Sequence, residues 1–352
     1  MVAKLERGGA QLSLLRVSRS LADRGVTTRL LAGGASSEGV QMAREHGFEP
    51  ELFGAAGDLQ WVPHAGFAAW LAPRLRDADA VHAHMFGGWW AAAQAVADGQ
   101  PLIASEHNAY HWPGPSHRRR LREALRRVDR FFAHGPGARR TVLDAGLPPD
   151  RIWEGVSPVA GMDATPRAGL PAGRVVFAGR LDPDKAPDVL LEAIALLRHR
   201  PPVLMLGAGR LESELRAQRA RLGLEQRVEM LGWTRDPGSI IAGAAVLAVP
   251  SRDESFSQTA VLGMGLGVPV IGTDVDGFPA TLGGGRGIIV ASEDPVALAA
   301  AIDGVLAGRL SVDAAAARRF ARAFEPERVA GIYEETYRGL TATALAAAPA
   351  FA

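Results

Sequence analysis

A chain of 352 residues exceeds what one ordinary hydrophobic core serves, and it predicts two domains. Thirty-nine basic against 38 acidic residues leave a formal net charge of +1, so no overall field favours nucleic acid. The absence of cysteine excludes a disulfide framework and any thiolate metal site; with neither a signal-peptide core nor an apolar run of membrane-spanning length, the chain reads as a cytoplasmic protein.

In chain order, Met1–Leu5 predicts a strand, Gly8-Gly9 a turn, and Ala10–Arg24 a helix with Leu14, Val17 and Leu21 at helical spacing, ended by Gly25. A strand follows at Val26–Ala32, then a helix at about Gly39–His46 and a Trp-containing segment, Leu59–Leu75. The strand Ala80–His84 leads into a loop, Met85–Gly88, and a helix from Trp89; the strand Leu102–Ser105 ends in Glu106-His107-Asn108. His82 and His84 are read as facing opposite sides of their strand, with His84 at its end. Ser116–Phe132 carries an apolar stripe (Leu121, Leu125, Val128, Phe132) among seven arginines. It reads first as a solvated face on a core-packed helix, and second as a surface for an anionic membrane or acceptor. Phe131-Phe132-Ala133 and Ile152-Trp153-Glu154 complete a first domain over residues 1–160, and the Pro- and Gly-rich Ser157–Gly173 is the linker.

The second domain, residues 161–326, opens with the strand Arg174–Gly179, then Arg180-Leu181-Asp182-Pro183-Asp184-Lys185 and a helix from Pro187. Val203–Leu206 is a strand ending at Gly207-Ala208-Gly209, Leu211–Leu222 a helix, and Val228–Leu231 a strand ending at Gly232-Trp233. Val246–Val249 is a buried strand, followed by a polar loop with Asp253 and Glu254, a small-residue helix (about Ser257–Leu266) and the strand Val268–Ile271. Gly287–Val290 is a last strand, Pro295–Leu306 and Val312–Phe324 are helices, Glu327–Leu340 is a terminal helix, and residues 341–352 form a frayed tail. The alternation of strand and helix predicts doubly wound parallel sheets. An acid and hydroxyls between a strand end and a helix start place a phosphorylated, polyhydroxylated ligand there.

Gly8-Gly9-Ala10, His82-Ala83-His84, Glu106-His107-Asn108, Gly179-Arg180 with Lys185, Gly207-Ala208-Gly209, Pro250-Ser251 with Glu254 and Phe256, and Gly267-Val268-Pro269-Val270 occur in a fixed order over nearly the whole chain. In this the sequence resembles the retaining glycosyltransferases of family 4. The resemblance implies an α/β fold of two facing doubly wound Rossmann-like domains (GT-B), with a C-terminal helix crossing back to the first. It also implies a nucleoside diphosphate sugar as co-substrate, with no cofactor and no metal.

Under that resemblance Arg180 and Lys185 hold the diphosphate and stabilise it as it departs, Glu254 accepts hydrogen bonds from sugar hydroxyls, and His107 is a polarising group near the transferred sugar. The competing reading of Arg180 and Lys185, surface charges paired with Asp182 and Asp184, ranks below. Gly8, Gly9, Gly207, Gly209, Trp233, Ser255, Phe256 and Ser257 are the donor-binding candidates, and His84, Trp89 and Trp112 the acceptor-binding ones. Asp274-Val275-Asp276 is read as a loop, and none of the nine histidines shows a metal-ligand pattern. Leu262 and Ala280 stand where such enzymes commonly carry glutamates, the first of which holds the donor ribose. The leading reading is transfer of a hexose or amino-hexose to a small hydroxylated acceptor, an aminocyclitol or other natural product. A membrane-face enzyme using the arginine helix, and a non-catalytic nucleotide-sugar-binding protein, are the alternatives.

Overall fold

In the computed structural model, which describes residues 1–55, 57–107 and 115–347, the alternation of short apolar runs and helices yields two parallel sheets in two units. Unit 1 holds β1 (Val2–Leu5), β2 (Leu31–Ala35), β3 (Glu51–Leu52), β4 (Val81–His84), β5 (Leu102–Glu106), β6 (Arg130–Ala133) and β7 (Ile152–Glu154), in the order β3-β2-β1-β4-β5-β6-β7. Its helices are α1 (Gly9–Ala22), α2 (Ser37–Glu45), α3 (Ala65–Leu75), α4 (Phe86–Ala95), α5 (Pro115–Leu125) and α6 (Pro136–Asp144). Unit 2, Val159–Glu325, holds β8 (Val175–Ala178), β9 (Val203–Leu206), β10 (Val228–Gly232), β11 (Val246–Val249), β12 (Val270–Thr273) and β13 (Ile288–Val290), in the order β10-β9-β8-β11-β12-β13. Its helices are α7 (Pro187–Leu196), α8 (Glu212–Arg221), α9 (Pro237–Ile241), α10 (Gln258–Gly265), α11 (Phe278–Leu282), α12 (Pro295–Leu306) and α13 (Ala314–Ala321). The chain then returns to unit 1 as α14 (Pro326–Ala347).

The central strands β8 and β11 are buried along their whole length because helices cover both sheet faces, which is why they read as unbroken apolar runs. Strand order reverses between β1 and β4 in unit 1 and between β8 and β11 in unit 2. The carboxyl ends of those pairs are where a doubly wound sheet leaves room for a ligand. α14 lies along α1; its Val329, Ala330 and Tyr333 share one apolar cluster with Val17, Leu21, Ile103 and Phe132, and its Glu334 pairs with Arg24.

Several boundaries differ from the sequence reading. β2 starts at Leu31, not Val26, and runs through Gly33, where a Cβ would lie 2.6 Å from the Ala3 carbonyl oxygen. Helix α4 starts directly at Phe86 with no intervening loop: Met85 turns the chain alone, at φ 66°, and Gly87 sits so close to Leu59 that a Cβ would overlap its carbonyl oxygen at 1.7 Å. β12 begins at Val270, three positions after a left-handed Gly267, with Pro269 in between, whose missing N–H suits it to the approach to a strand. The short helices α9 and α11 carry too few residues to show a period. α14 continues to Ala347 and does not end at Leu340, since an alanine-rich stretch keeps high helix propensity without an amphipathic pattern.

Candidate functional site

The unit 2 site is built at the strand-order reversal. β8 ends at Ala178, the chain passes Gly179 and Arg180, and a single 3-10 turn, Pro183–Lys185, is stopped by Ala186 in the left-handed region at φ 48° before Pro187 opens α7. That turn aims Lys185 at the loop after β11, where its Nζ donates to Glu254 Oε2 at 2.9 Å and to the Asp253 carbonyl oxygen at 3.3 Å. Ser251 Oγ donates to the same Glu254 oxygen at 3.2 Å. Glu254 is 8% exposed, and a buried carboxylate needs such a partner. Burial alone would lower the Lys185 pKa, but the Glu254 and Asp184 carboxylates overcome it and raise the group above its ordinary value, so the ammonium is held charged.

Arg180 is half exposed and pairs with Asp182 and, at 2.7 Å, with Asp184. The pairing that the sequence reading ranked lower is therefore what Arg180 makes; Lys185 lies 3.5 Å from Asp184 and in addition reaches across to Glu254 in the loop after β11.

The glycines beside this pair are fixed by close backbone approach. Gly207 has φ +134°, and a Cβ there would lie 1.8 Å from the Gly179 carbonyl oxygen; one on Gly209 would lie 2.5 Å from the Leu181 carbonyl. Backbone bonds Gly179 N to Leu206 O and Leu181 N to Ala208 O, both 3.0 Å, hold these two loops side by side. Ser257 caps α10 by accepting from Ala260 N at 3.2 Å, and Phe256 packs on Phe324 with ring centroids 4.9 Å apart. Among the described residues the N–H groups of Ser255, Phe256 and Ser257 donate to nothing in the chain, which leaves them for a ligand at a helix start. Trp233 is 45% exposed after the left-handed Gly232. Leu262 faces inward, in an apolar cluster with Val159 and Ile240.

One residue of this site was missed from sequence. Arg252 donates to both oxygens of Asp188 at 2.9 and 2.7 Å and to the Pro183 carbonyl oxygen at 2.8 Å, and it pairs with Glu293; its own N–H donates to Asp184 O at 2.8 Å. It fastens the β11 loop to the Pro183–Lys185 turn and so fixes where Lys185 meets Glu254. In an arginine-rich chain, a single loop arginine gave no signal. Arg252→Ala is expected to cost about 1–3 kcal/mol of stability, because it breaks a two-pronged pair and leaves Asp188 unpaired. A urea melt checks this, and an unchanged midpoint would show the loop is held otherwise.

Asp274 Oδ1 accepts from Ser292 N at 2.9 Å, which fixes the loop after β12. Among the described residues no group of three or more His, Asp or Glu could hold a metal ion, and no helix is long and apolar enough to cross a membrane.

In unit 1, histidines stand at the carboxyl ends of three adjacent strands: His84 on β4, His107 after β5 and His134 after β6. His84 Nδ1 is 3.2 Å from His107 Nε2, and the His107 and His134 rings stack at 3.9 Å. His82 and His84 do not face opposite sides: their rings stack at 4.3 Å, because side-chain alternation has a period of two and residues two apart share a face. His134 went unremarked in the sequence, although it follows a strand as His84 and His107 do.

Trp89 is fully buried, edge-on to Phe86 and Phe131, and its Nε1 donates to Glu106 Oε2 at 3.3 Å. It is a core residue and not an acceptor contact. Trp112 lies outside the described residues. Gly8 precedes α1 in extended conformation and Gly9 opens that helix; buried Gln11, one turn on, donates to the Lys4 carbonyl oxygen at 3.1 Å. A separate cavity of about 520 Å³ lies among α1, α14 and the starts of β2 and β4, and it meets the histidines through His82 and His84.

Burial lowers the pKa of all four rings, His107 to about 3. An unfolded histidine takes up its proton near pH 6.5, so unit 1 stability is expected to be complete above that pH. It falls as pH drops below 6.5, because the folded rings resist the protons that the unfolded ones take up, His107 down to about 3. Urea melts at pH 7.5 and 5 read this directly, and equal midpoints would contradict it.

Residues 7–153 match the family model described as Glycosyltransferase Family 4, and residues 172–308 that described as Glycosyl transferases group 1. A D-inositol 3-phosphate glycosyltransferase of Geodermatophilus obscurus is 30% identical over 92% of this chain and 83% of its own length. Its counterpart from Nocardiopsis dassonvillei is 32% identical over 65% of this chain, and the match spans 62% of that relative's length. Among solved structures, Anabaena Alr3699/HepE in complex with UDP-glucose superposes with a TM-score of 0.78 at 20% identity, over 96% of this chain and 99% of that chain. Its likeness places the two Rossmann-like units in the GT-B class of folds.

Proposed function

The chain belongs to glycosyltransferase family 4, and from that premise we propose that it moves a hexose or amino-hexose from a nucleoside diphosphate sugar to a small hydroxylated acceptor. The observation that carries the reading is the buried Lys185–Glu254 pair at the β8/β11 reversal, with Gly207 and Gly209 packed on the Gly179–Leu181 backbone that leads to it. An ammonium has three N–H donors; Glu254 and Asp253 O take two, and the third faces Asp184 at 3.5 Å, a long contact that a phosphate oxygen can replace. As the sugar–phosphate bond breaks, negative charge grows on the departing diphosphate, and a fixed cation beside it lowers the barrier. Arg180, with five N–H donors, adds a second cation at the exposed rim. Glu254, oriented by Lys185 and Ser251, keeps lone pairs for sugar hydroxyls.

In unit 1, His107 has neutral nitrogens to polarise an acceptor hydroxyl. No side-chain nucleophile is invoked: the acceptor proton passes to the leaving phosphate on the same face, with retention at the anomeric carbon and without a metal ion. The relatives named as D-inositol 3-phosphate glycosyltransferases support a cyclitol or its phosphate as the acceptor class.

The test is incubation with UDP- and GDP-linked hexoses and a panel of cyclitols and cyclitol phosphates, read by mass spectrometry and anomeric NMR, with and without EDTA. Transfer with retention, unaffected by EDTA, is the expected result. Donor binding with no transfer to any acceptor would favour a non-catalytic nucleotide-sugar-binding protein, a reading to which the buried Leu262 gives weight.

A further inference from the structure

Four imidazoles from three adjacent strands form one stacked file inside unit 1. His82 lies on His84 with centroids 4.3 Å apart, His84 on His107 at 5.5 Å, and His107 on His134 at 3.9 Å, with interplanar angles of 29°, 17° and 26°. Both ends are tied down. His82 Nδ1 is 2.6 Å from the Tyr337 hydroxyl of α14 and its Nε2 is 2.7 Å from Ser105 Oγ, while His134 Nδ1 is 3.2 Å from Ser157 Oγ. Tyr333, beside His82, donates its hydroxyl to the Val156 carbonyl oxygen at 3.0 Å, which ties the same helix to the segment that carries Ser157.

The backbone is shaped for the file. A Cβ on Gly155 would lie 2.4 to 2.7 Å from the His134 ring atoms, so only glycine lets that ring stand against His107. His84 and His107 share a single hydrogen across 3.2 Å, which makes their tautomers complementary: one nitrogen donates and the other accepts.

We propose that His82 and His134, backed by Tyr337 and Ser157, are positioning residues that set the ring orientation and tautomer of the His84–His107 pair. The role rests on the reading of His107 as the group that meets the acceptor. His134 holds one face of His107 by stacking and His84 holds its Nε2, so His107 has one orientation in which to present its remaining nitrogen. Tyr337 acts at a distance: its hydroxyl fixes His82, His82 fixes His84 by stacking, and His84 fixes His107. The C-terminal helix thereby carries a contact into the acceptor side of the reaction without touching the acceptor.

The experiment is nitrogen-15 NMR of the histidine rings in the full chain, wild type against Tyr337→Phe and His134→Ala, together with steady-state kinetics. Both variants are expected to shift the His107 ring signals. The kinetics are expected to show about a 10-fold fall in kcat at saturating acceptor, or a matching rise in acceptor KM, with donor KM unchanged. His134→Phe, which keeps a flat ring in the stack, is expected to restore most of that loss. Unmoved His107 signals in folded Tyr337→Phe, which deletes one oxygen and folds even if His134→Ala does not, would overturn the proposal. The NMR result decides it even if no transfer is found with any acceptor, which would instead count against the transferase reading.

Discussion

Lys185→Ala is expected to lower kcat/KM for the nucleotide-sugar donor by about 10²–10³-fold, the usual size when one fixed group that stabilises departing charge is lost. Two effects add. The cation proposed to face the leaving diphosphate is gone, and Glu254, 8% exposed, keeps only the Ser251 hydroxyl as a partner and no longer has its carboxylate held steady. Lys185→Arg is expected to rescue little, because a planar guanidinium cannot take the place of an ammonium that bonds Glu254 and Asp253 O from one nitrogen. The pH dependence separates this role from a titrating base. The Lys185 pKa stands above its ordinary 10.5, so the ammonium keeps its charge at every pH below that value and gives it up only as pH rises through the raised one. Initial rates from pH 6 to 9 are expected to show no inflection from Lys185. An alanine variant within threefold of wild type would remove the residue from the site.

Gly207→Ala has the largest expected effect on stability. The residue sits at φ +134°, and an added Cβ would lie 1.8 Å from the Gly179 carbonyl oxygen, which is backbone and cannot rotate away. Backbone strain of about 1–3 kcal/mol adds to the displacement of Gly179, so the total is expected to exceed about 3 kcal/mol and to lower the unfolding temperature of unit 2 by about 6–12 °C. The same movement would disturb the Gly179–Lys185 stretch that sets Lys185 on Glu254, so nucleotide binding should fall with stability. Gly223→Ala is the control: it too has positive φ, +65°, but nothing lies within 4 Å of its Cβ, and its cost is expected near 1 kcal/mol. Calorimetry of both variants reads the difference, and equal losses would mean that conformation alone, not the loop-against-loop approach, demands the glycine.

Much of this was legible in the sequence because buried parallel strands announce themselves. Val203–Leu206 and Val246–Val249 were bounded to the residue, and Pro295–Leu306 carried its own start signal in Asp294-Pro295, with Asp294 accepting from Ala297 N at 2.8 Å. β2 was displaced because Gly33 and Gly34 look like loop and serve as strand, and at Gly33 close packing under Leu59 and Phe67 excludes any side chain. At the site, Lys185 and Glu254 could be named from strand-end positions, but their direct contact joins residues 69 positions apart, and no local pattern contains it. Arg252 was invisible for the same reason, its partners Asp188 and Glu293 lying 64 and 41 positions away. Trp89 was misjudged from chemistry alone: an aromatic after a strand end suits a sugar face and a core equally, and only burial separates them. The histidine file was half visible, since His82, His84 and His107 stand out as motifs, whereas Tyr337 enters from a helix 255 positions on.

The claim at the centre is that the cation on the β8 side and the acid on the β11 side form a sugar-diphosphate site. Isothermal titration of a nucleoside diphosphate into wild type and Lys185→Ala tests it without reference to any acceptor. The expected result is saturable one-site binding that weakens at least about 10-fold in the variant, corresponding to 1.4 kcal/mol or more. Equal affinity in the two proteins, or no binding to wild type by either UDP or GDP, would contradict it.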